Sequence, residues 1–232
     1  MFRAEFMMYE PLVAYFRAQG LLVLREVTTS EGRADIVAAR IDWEAARKRM
    51  KLGFRWGLAR LPLLRAWEAL PPDKTISVDT WAEALEISRC STRALARELE
   101  QSRFITRSAD GYTRRGCVPR VITHLVCCEA KLDNWKRGLD QAYGHRFYTN
   151  QSYLALANRV PRSTDLQLME SRQVGLLSVT DHVVEVLPSA ERRPGSTLTR
   201  DLIEERFWLE LVAPQLGPRK APVMREAHDA IA

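Results

Sequence analysis

Two ionisable residues, Glu129 and Lys131, end an otherwise apolar stretch at residues 121–131, which reads VITHLVCCEAK. Such a stretch predicts a buried strand, and residues two apart in a strand extend from the same face. Burying a carboxylate beside an ammonium is costly unless the pair has a use. Metal-assisted hydrolysis of a phosphodiester uses both groups, and a simple strand-end salt bridge is the alternative.

Two more acids stand earlier in the chain: Asp35 opens a predicted strand, and Glu10 lies beside the apolar stripe of a predicted helix. Taken singly, Asp35 is typical of a strand end and Glu10 of a helix surface. Asp35, Glu129 and the Ala130 carbonyl together form the oxygen set that Mg²⁺ prefers, and Mn²⁺ is expected to substitute. Lys131 would then orient or deprotonate the attacking water, or stabilise the charge of the transition state.

Outside residues 41–118, the hydrophobic pattern predicts an α/β core with a mixed sheet flanked by helices. The predicted order is helix, three strands, helix, strand, helix, two strands and helix. These elements are predicted at residues 5–19, 21–27, 34–39, 121–131, 133–146, 153–157, 163–172, 175–179, 183–187 and 200–212. Gln141 and His145 lie one turn apart on the second of these helices.

Residues 41–118 have a different, mainly helical character. Residues 42–70 are predicted to be helical, with Pro62 bending or splitting the helix. A strand at residues 75–77 and helices at 78–86 and 91–101 follow, and Asp110-Gly111 predicts a hairpin. This order resembles a winged helix-turn-helix over residues 52–116, with a recognition helix and a wing.

Positive charge is concentrated in the same segment. Residues 41–118 hold 15 Lys and Arg against 10 Asp and Glu, which gives +5 of the net charge of +6 of the whole chain. That balance favours a nucleic-acid partner, although a solvated helix face in a protein-contact module is the alternative. Six arginines are the predicted nucleic-acid contacts: Arg89, Arg93, Arg97, Arg103, Arg114 and Arg115. The first three are spaced four residues apart.

The ordered set of acidic residues, lysine and glutamine resembles the PD-(D/E)xK nuclease superfamily, which has the restriction-endonuclease-like fold. Glu10 matches the family's helical glutamate, Asp35 the strand aspartate, Glu129-Ala130-Lys131 the (D/E)xK motif, and Gln141 the glutamine of the following helix. The resemblance covers residues 5–40 and 119–188. Ala34 replaces the usual proline, and the 94 positions from Asp35 to Glu129 exceed the usual spacing. The insert accounts for that gap.

The resemblance implies a discontinuous nuclease-like core at residues 1–40 and 119–232, with a winged-helix DNA-binding domain at residues 41–118. It implies a Mg²⁺-dependent DNA endonuclease in which Glu10 holds a second metal or a metal-bound water, and Gln141 positions the phosphate or Lys131. The partners expected are DNA and either a second copy of the chain or a protein of a DNA-processing complex. An inactive nuclease-like DNA-binding or interaction subunit is the alternative.

The remaining sequence features exclude several other classes. The four cysteines show no zinc spacing, and the four histidines are scattered. No P-loop, dinucleotide fingerprint or nucleophile elbow appears. No apolar run reaches the length of a membrane span, and acidic residues interrupt the N-terminal region where a signal peptide is apolar. A cytoplasmic protein without a membrane partner is therefore expected.

Overall fold

The computed structural model describes residues 2–29, 32–157, 164–193 and 197–216. The α-helices are α1 (Tyr9–Ala18), α2 (Trp43–Lys51), α3 (Leu61–Glu68), α4 (Val78–Leu85), α5 (Arg89–Gln101), α6 (Trp135–His145), α7 (Leu166–Ser171), α8 (Leu198–Phe207) and α9 (Ala213–Leu216). A 3₁₀ helix, Glu5–Met8, precedes α1, and a π-helix, Trp208–Val212, joins α8 to α9. In these ranges no helix has both the length and the apolar character needed to span a membrane.

The strands are β1 (Leu22–Thr29), β2 (Gly32–Ile41), β3 (Thr75–Ile76), β4 (Ile105–Ser108), β5 (Gly111–Arg114), β6 (Ile122–Lys131), β7 (Gln151–Ala157), β8 (Gly175–Val179) and β9 (Val183–Leu187). Six of them form one sheet in the order β1-β2-β6-β7-β8-β9. The β6–β7 and β7–β8 pairs are parallel and the others antiparallel. Parallel neighbours need crossover connections, which α6 and α7 supply. The prediction of an α/β core with a mixed, helix-flanked sheet is therefore confirmed.

The two faces of this sheet bury separate clusters because side chains alternate along each strand. On one face, α1 packs against residues that include Ile36 and Cys128. On the other face, α8 packs against residues that include Val37 and Cys127. The two adjacent cysteines are thus buried on opposite faces, and burial raises the pKa of both thiols.

Residues 61–114 build a second sheet, β3-β5-β4, and a cluster of their own with α3, α4 and α5. Trp81 and Phe104 are fully buried in this cluster. The order of these elements is the order predicted, and the hairpin turns between β4 and β5 at Asp110. The two hydrophobic clusters do not divide at the predicted domain boundary. Ala46 of α2 lies in the cluster of the large sheet, and Leu202 of α8 lies in the cluster of the small sheet.

The helical segment predicted at residues 42–70 is interrupted well before Pro62. Helix α2 ends at Lys51, α3 begins at Leu61, and Pro62 occupies the first turn of α3, where its missing N–H costs nothing. The intervening segment passes close to the π-helix, since a β-carbon on Gly57 would lie 2.6 Å from Cγ of Leu209. Pro62 therefore starts a helix instead of bending one.

Helix α7 begins at Leu166 with Asp165 as its N-cap, and the predicted start of this helix at residue 163 lies outside the described residues. The predicted helix at residues 200–212 is α8 followed by the π-helix.

Candidate active site

Neighbouring strands bring Asp35 and Glu129 together. The backbone pairing of β2 with β6 extends to Ile36, which lies opposite Cys128. Beyond this pair, the side chain of Asp35 accepts the hydrogen bond from β6 that a backbone carbonyl would otherwise accept. Its Oδ2 atom accepts the N–H of Ala130 at 2.9 Å, while Oδ1 accepts the hydroxyl of Tyr9 at 2.8 Å. Both oxygens of this buried carboxylate are therefore held in fixed directions.

Lys131 folds back along the strand end, so that oxygens surround its ammonium. Its Nζ atom donates to Glu129 Oε1 at 2.8 Å and to the carbonyl of Ala130 at 3.1 Å. Glu5 Oε2 lies at 3.5 Å and Asp35 Oδ2 at 3.9 Å. The predicted trio of Asp35, Glu129 and Lys131 thus forms one contiguous cluster in which all three side chains are buried.

The charges of this cluster shift the pKa values of its members in different directions. Burial and then the negative charge of Glu129 raise the pKa of Asp35. Burial alone would raise the pKa of Glu129 too, but hydrogen bonds from His145 and Lys131 and the charge of Lys131 bring it below its ordinary value. Burial acts to lower the pKa of Lys131, yet its bond to Glu129 and the nearby carboxylates raise it. Lys131 is therefore an ammonium paired chiefly with Glu129.

The side of Glu129 away from Lys131 faces α6. Its Oε2 atom lies 3.4 Å from Nε2 of His145, and Nδ1 of His145 lies 2.7 Å from the hydroxyl of Tyr148. His145 and Tyr148 are both buried. Every oxygen of Glu129 thus has a hydrogen-bond partner, which a carboxylate at 2% exposure requires.

Gln141 lies on the same face of α6 as His145, four residues before it. Its Oε1 atom is buried and has no hydrogen-bond partner among the described residues. A buried amide oxygen without a partner is uncommon, and a bound ligand is one way to satisfy it. The predicted role of Gln141 therefore stays a prediction, since the hydrogen bonds and ion pairs among the described residues do not join it to the trio.

The helical acid at this site is Glu5 and not the predicted Glu10. Glu10 is exposed and pairs with Arg25 of β1 at 2.7 Å, so among the described residues its contact lies outside the cluster. Glu5 belongs to the 3₁₀ helix that precedes α1, and this helix packs on β6 at the strand end. Tyr9, predicted only as a core residue, is the α1 side chain that contacts Asp35.

The donor set suits a hard divalent cation. No group of three or more His, Cys, Asp or Glu side chains within the described ranges is already arranged to hold a metal. Mg²⁺, however, commonly uses one or two carboxylates and retains water for its other positions. Asp35, Glu129 and the Ala130 carbonyl match that requirement. With Glu5, three carboxylates face one ammonium, which leaves a formal charge of −2 for a cation to neutralise.

The predicted nucleic-acid contacts fall into two groups. Arg93 and Arg97 are exposed on α5, one turn apart, and Arg103 is exposed just after the helix. Arg89 is also exposed, but its Nε atom pairs with Asp79 of α4 at 2.5 Å. These four exposed side chains are distributed along the whole length of α5, from its first residue to just beyond its last.

Arg114 and Arg115 have internal partners instead. The guanidinium of Arg114 stacks 3.4 Å from the ring centre of Trp67, and burial lowers its pKa. Arg115 donates to the carbonyls of Leu52 and Arg103, each at 3.4 Å. Both arginines thus hold the end of β5 against neighbouring parts of residues 41–118, and their predicted contact with a nucleic acid stays a prediction.

Four residues at the site were missed as functional by the sequence: Glu5, Tyr9, Tyr148 and His145. Tyr9 carries only the signal of an apolar helix stripe. Glu5 carries no signal, because a short 3₁₀ helix has no periodicity to read. Tyr148 resembles an ordinary core aromatic. His145 had a usable signal, since it lies one turn after Gln141 on a helix that follows the Glu129 strand directly.

Comparison with protein-family models, with curated proteins and with solved structures returned no match.

Proposed function

We propose that this chain is a metal-dependent DNA endonuclease of the PD-(D/E)xK type, with the restriction-endonuclease-like fold. One observation carries the proposal: Nζ of Lys131 lies within 4 Å of Glu5, Asp35, Glu129 and the Ala130 carbonyl. A structural salt bridge needs one carboxylate. Three carboxylates collected near one ammonium, on different elements, favour the binding of an additional cation.

The residues divide the work according to their positions. Asp35, Glu129 and the carbonyl of Ala130 would hold Mg²⁺ or Mn²⁺, which when bound makes a water more acidic and neutralises charge on the phosphate. Lys131, with its raised pKa, donates hydrogen bonds to the phosphate or the attacking water instead of accepting a proton. Tyr9 fixes the direction of the Asp35 carboxylate.

The small sheet and its helices support DNA as the substrate. Helices α4 and α5 followed by the β4–β5 hairpin have the order of a winged helix-turn-helix, with α5 as the recognition helix. Arg93 and Arg97 project from its exposed face. The proposed module would hold duplex DNA by phosphate contacts, while the large sheet carries the cutting site.

Purified full-length protein tests this proposal with plasmid and with labelled duplex DNA, in Mg²⁺, Mn²⁺ or EDTA. Cutting that requires the metal is expected. Asp35→Ala and Lys131→Ala should abolish cutting and retain binding in EDTA, whereas Glu10→Gln, on the exposed Arg25 pair, should cut normally. Cutting that survives both site variants contradicts the mechanism.

An inactive DNA-binding or interaction subunit is the second candidate. It is favoured by the way Arg114 and Arg115 are used inside the module, which leaves fewer cations for DNA. A stable protein partner in a pull-down, without DNA affinity or metal-dependent cutting by the isolated chain, would select this candidate.

A further inference from the structure

We infer that His145 is a positioning residue, which holds the carboxylate of Glu129 in the orientation needed to bind the metal; this inference rests on the proposed function. His145 is buried on α6 and its Nε2 atom lies 3.4 Å from Oε2 of Glu129. Lys131 holds the other oxygen of the same carboxylate at 2.8 Å. The plane of the Glu129 carboxylate is therefore defined from both sides.

The ring orientation of His145 follows from its two partners. An ionised Glu129 can only accept hydrogen bonds, so Nε2 carries the proton between them. The hydroxyl of Tyr148 lies 2.7 Å from Nδ1, on the other side of the ring. Tyr148 thus fixes which nitrogen of His145 faces Glu129, in the manner by which outer groups orient ligands at metal sites.

The backbone makes this arrangement rigid. Tyr148 is fully buried, and its carbonyl accepts from the guanidinium of Arg200 at 3.0 Å. The hydroxyl of Thr149 donates to the carbonyl of His145 at 2.8 Å, which closes the end of α6. The backbone around the imidazole is therefore held by contacts that do not involve Glu129, and this is the property expected of a positioning group.

Loss of the Nε2–H donor would leave one oxygen of a carboxylate that is only 2% exposed without a partner. Such a carboxylate rotates towards Lys131, and this change removes a metal ligand. Substitution of groups that orient metal ligands typically costs about 10–100-fold in metal affinity or activity. The effect should appear mainly in the metal concentration required, and less in turnover at saturating metal.

Three variants of the full-length chain test the inference. His145→Phe removes both nitrogens, and His145→Gln restores an N–H donor near the position of Nε2. His124→Phe is the matched control: His124 is a half-buried histidine on β6, it bonds to Gln151 at 3.0 Å, and it lies five residues before Glu129. Mn²⁺ binding is measured by calorimetry, and duplex cutting is followed against Mn²⁺ concentration.

The expected result is Mn²⁺ binding weaker by about tenfold or more in His145→Phe, recovery to within a few-fold in His145→Gln, and no change in His124→Phe. A His145→Phe protein that binds Mn²⁺ and cuts like the wild type overturns the inference and leaves the proposed function standing. Equal loss in His124→Phe also overturns it, because the effect would then be one of general stability. A wild-type protein that neither binds Mn²⁺ nor cuts overturns both proposals.

Discussion

Gly138 of α6 lies against the side chain of Lys131 so closely that a β-carbon on this glycine would be 2.7 Å from Cγ of Lys131. The same β-carbon would be 2.5 Å from Cδ1 of Leu154 on β7. The helix therefore lies against the end of β6, and only glycine leaves room for the lysine stem between them.

Gly138→Ala should displace Lys131 from Glu129 and reduce cutting by about tenfold or more, because small displacements of a positioned group have large effects on rate. The rate is measured at saturating Mn²⁺. Gly144→Ala on the same helix is the control, since a β-carbon there meets nothing within 4 Å. The idea fails if the two alanine variants cut at the same rate.

Lys131→Met should bind Mn²⁺ more tightly than the wild type, by about tenfold or more, while it cuts no DNA. Removal of one positive charge a few ångströms from the metal ligands removes a repulsion that is strong in a buried site. Calorimetry measures the affinity, and Lys136→Met, at an exposed position of α6, is the control for the change in net charge. Weaker metal binding in Lys131→Met would count against a cation site among these carboxylates.

Arg49→Met should destabilise the fold by about 3–5 kcal/mol, because it leaves a buried carboxylate without its partner. Both oxygens of Glu205 bond to the Arg49 guanidinium, at 2.8 and 2.7 Å, and the second also accepts the N–H of Leu58 at 2.7 Å. Urea unfolding measures the loss. Arg60→Met, which breaks an exposed pair with Glu98, should cost less than about 1 kcal/mol. Similar losses in the two variants would contradict this account.

Glu204 should make stability depend on pH. Burial, opposed by the N–H groups of Val121 and Ile122, raises the pKa of Glu204 above its ordinary value. An acid whose pKa is raised by folding favours the native state below its unfolded pKa, and this contribution is lost as pH rises through the folded pKa. The glutamine of the Glu204→Gln variant does not titrate, so the wild type should lose stability relative to this variant as the pH rises. The difference in the free energy of unfolding, variant minus wild type, should therefore increase from about pH 4 to about pH 8, the range in which carboxyl groups with a raised pKa titrate. A difference that stays constant across that range would refute the assignment.

Arg93→Ala with Arg97→Ala should weaken DNA binding and reduce the slope of log affinity against log salt by about 1.8, or roughly 0.9 for each phosphate that an arginine no longer neutralises. Binding is measured in EDTA so that cutting does not interfere. Arg25→Ala, on the edge strand β1 of the large sheet, is the control for loss of an exposed arginine elsewhere. An unchanged salt slope in the double variant would remove α5 from the interface.

The sequence predicted the strands around the site well because their signal is local. Alternation and apolar runs located β6 and β2, and a pair of residues two apart in a strand must share a face. Glu129, Lys131 and Asp35 could therefore be found before any tertiary contact was known. The hairpin of β4 and β5 was found in the same way, from the Asp110-Gly111 turn.

The helical side of the site could not be predicted from the sequence to the same degree. Which acid of the first helix approaches β6 depends on how α1 is rotated about its axis, and the packing of Tyr9 and its neighbours on the sheet decides this. That packing turns Glu10 towards Arg25 and leaves Glu5 near Lys131. The internal contact of Arg114 could not be predicted from the sequence either, because its stacking on Trp67 joins distant parts of the chain.

The late position of α8 in the chain affects how the protein folds during synthesis. Adjacent residues of this helix complete different cores: Leu202 belongs to the cluster of the small sheet, and Ile203 to that of the large one. A ribosome synthesises α8 after every strand of both sheets. Neither core is complete before that helix emerges, so we expect both sheets to reach their final packing only after α8 has been synthesised.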